Sequence, residues 1–282
     1  MTARAAAFAA FGALSCSQVV TESDLAATES LTTRTGTVGL FYFDDSAHLP
    51  NAMITSFRET TWRWSAHLDR RVEGPARSPY CTDAGRLAPI PTMNRYVSAG
   101  DVTVSDGRSD ITQPPGDNRQ YDRSRGTVPA WREGARLTVT SAGGEIPSFM
   151  TSVVVPSRPA VTSPVGPGER GLSWTRAQPL TIRRLQGGYG DFVVYVFQNE
   201  TPSRDPAVPV APRVHIVCTF PGSVTEATLP AAALRDLRLP TTFQDRVQVS
   251  IETRDSTTIS AGDYQIEAAA TYSGPSFDLL VE

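Results

Sequence analysis

From about residue 36 to the end of the chain, apolar residues alternate with polar ones in short runs, while stretches of helical period are nearly absent. In the first half the period-two runs are 37–43 (TVGLFYF), 52–57 (AMITSF), 101–105 (DVTVS), 135–140 (ARLTVT) and 149–155 (FMTSVVV). The second half adds 172–174, 180–185, 192–197, 213–220, 247–253 and 264–272, a spacing that suits a sandwich of about seven strands. The pattern predicts an all-β chain. Within 213–220 the alternation places Val214, Ile216, Cys218 and Phe220 on one face, the inner one, and His215 on the outer. One helix is predicted over 229–237, with Pro230 in its first turn and leucines on one side.

Punctuation divides the chain. Pro156, Pro159, Pro164 and Pro167 fall where few ladder hydrogen bonds could survive. They predict a first antiparallel, immunoglobulin-like β-sandwich over 36–156, a linker over 157–170 and a second sandwich over 171–282. Residues 106–127 are polar and proline-bearing and read as a long exposed loop. Residues 166–171 spell G-x-G-x-x-G, but the prolines and the absence of a flanking strand and helix make this linker. Gly187, Gly188, Tyr189, Gly190 and Asp191 read as a hairpin turn.

The N-terminal residues 1–16 carry one arginine, Arg4, then an apolar run from Ala5 to Leu14, small Ser15, and Cys16. That run is too short to span a bilayer and reads as a signal peptide, with Cys16 at the lipidation position of a lipobox and residues 17–35 as a flexible tether. A lipobox usually has its branched aliphatic three residues before the cysteine, where this chain has Ala13. Plain export after cleavage, or a buried N-terminal helix, are the alternatives. Lipidation of Cys16 would leave two cysteines, Cys81 and Cys218, in a compartment that permits disulfides. Because Cys218 sits on an inner strand face and Cys81 lies in the other predicted domain, two unpaired thiols are expected, a bridge being the alternative.

The segments 98–104 (SAGDVTV) and 134–149 (GARLTVTSAGGEIPSF), the proline crossover at 156–164, and the succession of Trp174, Cys218, Leu229-Pro230 and Leu234 carry a family likeness. In these features the chain resembles the secreted two-domain β-sandwich lipoproteins of predatory soil deltaproteobacteria. The resemblance implies an exported protein at the outer membrane or cell surface, and Ser17 after Cys16 agrees with outer-membrane sorting. Such relatives often carry further cysteines in the first domain, where this chain has only Cys81.

Composition narrows the chemistry. All 26 basic residues are arginine, so a lysine Schiff base and a P-loop lysine are excluded. With 29 acidic residues the net charge is -3 and no basic block appears, which argues against nucleic acid as a partner. Only His48, His67 and His215 could serve in acid-base or zinc chemistry, and none is paired at ligand spacing. No hydrolase, zinc or redox motif occurs, and no cofactor is implied. Asp101, Asp106, Asp110, Asp117 and Asp122 cluster; a calcium ion would use Asp106 and Asp110, but the interleaved arginines supply counter-charge and favour a solvated loop. Trp62 and Trp64 share one face of an extended segment, where they would be core residues or a ligand-stacking platform. The expected role is an exported, lipid-anchored envelope protein acting as a non-enzymatic binding or structural module. Its expected partners are the membrane, through Cys16, and a glycan or envelope protein. A carbohydrate-active or other hydrolytic accessory protein and a subunit of an envelope complex are the alternatives.

Overall fold

The computed structural model describes residues 30–43, 51–63, 80–83, 91–122, 124–125, 128–164, 171–175, 178–198, 214–239 and 246–281. The expectations for Cys16, the signal segment, residues 17–29, Trp64, His48, His67 and the G-x-G-x-x-G stretch from residue 166 lie outside the described residues. The all-β expectation holds. The first strands are β1 (Ser30–Phe43), β2 (Ala52–Arg63), β3 (Cys81–Asp83), β4 (Pro91–Tyr96), β5 (Val102–Ser105), β6 (Asp110–Gln113), β7 (Ser124–Arg125), β8 (Arg136–Ser141) and β9 (Phe149–Val154). They are followed by β10 (Val161–Ser163), β11 (Gly171–Trp174), β12 (Leu180–Arg184), β13 (Asp191–Gln198), β14 (Val214–Phe220) and β15 (Glu226–Leu229). Helix α1 (Ala231–Leu234), β16 (Val247–Ala261) and β17 (Tyr264–Val281) complete the chain.

One ten-stranded sheet runs in the order β3-β14-β13-β16-β17-β1-β2-β4, with β11 also paired to β17 and β7 to β2. Its spine is the long hairpin β16–β17, in which Val247 opposes Leu279 and Ala261 opposes Tyr264. Along β16 every second residue from Val247 to Thr253 is buried, and Ala261 continues that parity at the turn, so one face of the spine looks inward along its length. Two smaller sheets cover this face. The sheet β6-β5-β8-β9 closes a core around Leu40, Phe57, Val104, Leu137, Ile146, Ile266 and Ala268. The sheet β10-β12-β15, together with α1, closes a second core around Ile182, Val194, Ile216, Leu234, Val249 and Leu279. Between them β17 carries a register shift where Ser250 opposes Ser276 and Glu252 opposes Ser273. That extra residue switches the inward parity of β17 from Phe277, Leu279 and Val281 to Ala270, Ala268 and Ile266 while β16 keeps its own.

The predicted division at residues 157–170 therefore lies between two cores but not between two separate sheets. Tyr264, Ile266, Ala268 and Ala270 of the second half complete the first core, and Cys81 of the first half joins the second. Strand β1 begins at Ser30, so the last six residues of the expected tether are ladder residues, antiparallel to β2, with the parallel pairing to β17 beginning at Thr35. Within the expected linker, Val161–Ser163 forms β10 against β12.

Two cysteines correct the sequence reading. Cys81 and Cys218 form a disulfide. They are register partners on the antiparallel pair β3–β14, and both are fully buried. The inner-face placement of Cys218 was right, and the free thiol was not, because β3 is brought to that face by a pairing 137 residues distant in sequence.

Other expectations change in detail. Residues 106–127 are not one exposed loop: β6 pairs with β5, Pro115 bridges Tyr121, and Ile111, Gln113 and Tyr121 are buried. The Gln113 side chain accepts from Thr55 at 2.5 Å and donates to the carbonyls of Met53 and Asp122, an internal polar anchor that polar composition disguises. The glycine-rich stretch 187–191 is a crossover between sheets, since β12 and β13 belong to different ones. Here a Cβ on Gly222 would collide with the Gly190 carbonyl oxygen and lie 2.7 Å from that of Gly188, so glycine is required where the two connections cross. The predicted helix over 229–237 shrinks to the four residues of α1, and Leu229 is drawn into β15 by its pairing with Leu180.

Candidate functional site

The outer face of the ten-stranded sheet carries a groove of about 280 Å³. Strand alternation builds it. Phe192, Val194 and Val196 face inward, which leaves Asp191, Val193 and Tyr195 outward on β13. On β14 the same rule turns Val217 and Thr219 outward, and on β16 it turns Glu252, Arg254 and Ser256 outward. Tyr195 opposes Val217 and Ser250, Val193 opposes Thr219 and Glu252, and Asp191 opposes Arg254. Glu267 of β17 reaches in from the far side.

These groups are hydrogen-bonded to one another. The Tyr195 hydroxyl donates to Glu252 at 2.5 Å, and Arg254 donates to Glu267 at 2.6 Å while reaching Glu252 at only 4.0 Å. Burial raises the Glu252 carboxyl above the ordinary carboxylate range, against the lowering influence of the Tyr195 hydrogen bond and the Arg254 charge. Tyr195 is pushed up to about 12, chiefly by burial and then by its bond to Glu252. Beside the groove the His215 ring lies 6.3 Å from Tyr195 and 6.4 Å from Phe197, half-buried on the outer face as its alternation predicts.

The residues proposed from sequence do not converge here. The Asp106 carboxylate closes the β5–β6 connection on itself, accepting from the backbone N–H groups of Arg108 at 2.9 Å and Ser109 at 2.8 Å and from the Ser109 hydroxyl at 3.2 Å. Those backbone bonds hold its pKa below the usual value. Asp110 is exposed at the start of β6. Among the described residues no group of three or more His, Cys, Asp and Glu side chains could hold a metal ion. Trp62 lies in β2 opposite Leu31 and Pro91, and its side chain is outside the described residues. Trp131 and Trp174 are core residues, Trp131 donating its indole N–H to Ser109 at 2.8 Å.

Sequence reasoning missed the groove. The alternation of Glu252 and Arg254 with buried Ile251 and Thr253 was legible as an outward polar pair. Its meeting with Tyr195 and Glu267 needed the strand order. No protein-family model matches the chain, and no curated protein sequence does either.

Proposed function

We propose that this chain is an exported protein, held at the outer membrane or cell surface by lipid on Cys16, where it acts as a non-enzymatic binding or structural module of the envelope. The observation that carries the reading is the Cys81–Cys218 disulfide, which suits an oxidising compartment and accounts for two of the three cysteines, Cys16 being the third. The resemblance to exported β-sandwich lipoproteins points the same way, and the outer-face groove offers a binding surface on a rigid sheet.

Phase partitioning tests the anchor. Each buried methylene of an acyl chain contributes roughly 0.8 kcal/mol, so a lipidated chain enters the detergent phase. Expressed with its export signal, the wild type is expected in the detergent or membrane fraction, and Cys16→Ala in the aqueous fraction or with its signal retained. Equal recovery of both proteins in the aqueous fraction overturns the lipid anchor. Turnover of a glycan by the purified protein would overturn the non-enzymatic role.

A further inference from the structure

The outer-face groove holds more acid than its arginine neutralises. Asp191 and Glu267 bring two carboxylates against the single guanidinium of Arg254, and Glu252 stands behind them under the Tyr195 hydroxyl. That guanidinium makes its close contact with Glu267, and Glu252 has the Tyr195 hydroxyl as its near donor. Asp191, although opposite Arg254 in register, has no ion-pair partner among the described residues. The groove thus keeps the exposed Asp191 carboxylate without an ion-pair partner beside the Arg254–Glu267 pair.

Its other surfaces are apolar or aromatic. Val193 and Val217 are diagonal neighbours on β13 and β14, and the Tyr195 ring, opposite Val217, is held by its bond to Glu252. An anion would meet the unpaired Asp191 carboxylate, and a hydrated metal ion would gain nothing from the valines. An ammonium or guanidinium on an aliphatic stem uses every part: the carboxylates take its charge, the ring face attracts a cation within about 6 Å, and the valines take the stem. The volume of about 280 Å³ stands at the small end of ligand pockets, enough for one such group.

We infer that the groove formed by Asp191, Val193, Tyr195, Val217, Arg254 and Glu267 binds a small organic cation, a primary ammonium or guanidinium on a short aliphatic stem. This deepens the binding-module reading and is independent of the anchor, since the groove lies wholly on β13, β14, β16 and β17. The same cation could come from a free polyamine or from a basic side chain of a peptide.

Calorimetric titration of the full-length protein in mild detergent tests it, with 1,4-diaminobutane and the amide of Nα-acetylarginine as separate probes. At least one probe should bind at low salt, and the tighter one identifies the source. Asp191→Asn, an exposed change with little reach into the fold, should weaken binding about tenfold, and raising the salt should weaken it further. Glu226→Gln, which removes an exposed carboxylate on another sheet, should leave binding unchanged, and thermal melting should show both variants folded. The inference is overturned if neither probe binds, if Asp191→Asn binds as the wild type does, or if methyl glucoside binds in place of both cations. A chain that binds a probe yet partitions into water would retain this inference and lose the anchor.

Discussion

Arg184 is a cation almost wholly removed from water, 4% exposed, with no carboxylate among its hydrogen-bond partners. Its Nε donates to the Val224 carbonyl at 2.7 Å, one terminal nitrogen donates to the Gly222 carbonyl, and the guanidinium stands 4.6 Å from the Phe192 ring centroid. Burial lowers its pKa. The other terminal nitrogen is buried without a partner, so the side chain is retained for the connections it joins and not for charge pairing. Replacing it with alanine strands two carbonyls and leaves a cavity, an expected loss of about 3 kcal/mol in chemical unfolding. Arg184→Lys should not restore this, because one ammonium cannot reproduce the planar fork. Glu252 shows the opposite strain, a carboxylate whose charged form is penalised by burial. A raised folded pKa contributes stability below the ordinary carboxylate value and loses it as pH rises through the folded value. Relative to the wild type, Glu252→Gln should therefore gain melting temperature as the pH rises from about 4 to 8, the gain beginning near the ordinary carboxylate value. A constant difference across that range would contradict the assignment.

At the level of elements, the β16–β17 hairpin decides the architecture, and its tip depends on one residue. The two-residue connection Gly262-Asp263 puts Gly262 at φ +59, the left-handed conformation that a tight hairpin asks of its first position. Gly262→Ala should cost about 1 kcal/mol or slightly more in equilibrium unfolding, with no loss of strand signal. Near this tip, strands from distant parts of the chain are joined by Glu59 of β2. It accepts from Tyr264 at 2.8 Å, from Arg34 at 3.1 Å and from Arg95 at 2.9 Å, while Arg95 also reaches Glu145 at 2.6 Å. These donors, Tyr264 first, hold the Glu59 carboxyl below its ordinary pKa. A depressed carboxylate contributes stability above its unfolded pKa and loses it as pH falls through the folded value. Glu59→Gln should accordingly melt below the wild type at pH 7 and converge with it near pH 3. A deficit unchanged at pH 3 would mean that packing, and not charge, carries the residue.

For the whole molecule the decisive fact is that neither half owns its core. Strand β1 pairs with β17 more than 200 residues later, and β3 pairs with β14 under the disulfide. Closing a loop of 137 residues by a covalent bridge removes roughly 5 kcal/mol of unfolded-chain entropy. A protease site placed within residues 165–170 and cleaved should leave a species that runs at full size without reductant and divides into two fragments with it. In native buffer the reduced, cleaved halves should still co-elute, since the strands of one half complete the sheet of the other. Separation without reductant would break the covalent claim, and separation in native reducing buffer would make the sheet divisible.

Alternation along the chain by itself determined that this protein is all-β, which face each run presents, and that Cys218 is interior. Those are local properties: successive side chains point to opposite sides whatever the strand is paired with. Strand order was not legible, because Thr35 meets Gln265 and Cys81 meets Cys218 through contacts whose partners lie hundreds of residues or more than a hundred residues away. Period two says that a residue faces outward without saying what faces outward beside it. Only the tertiary structure therefore decided that two sandwich-like cores share one sheet, that two cysteines are bridged, and that Asp191, Tyr195, Arg254 and Glu267 meet in a groove. Backbone pairing is nearly indifferent to side-chain identity, so the register that gathers those groups is set by how the whole sheet buries its inner face.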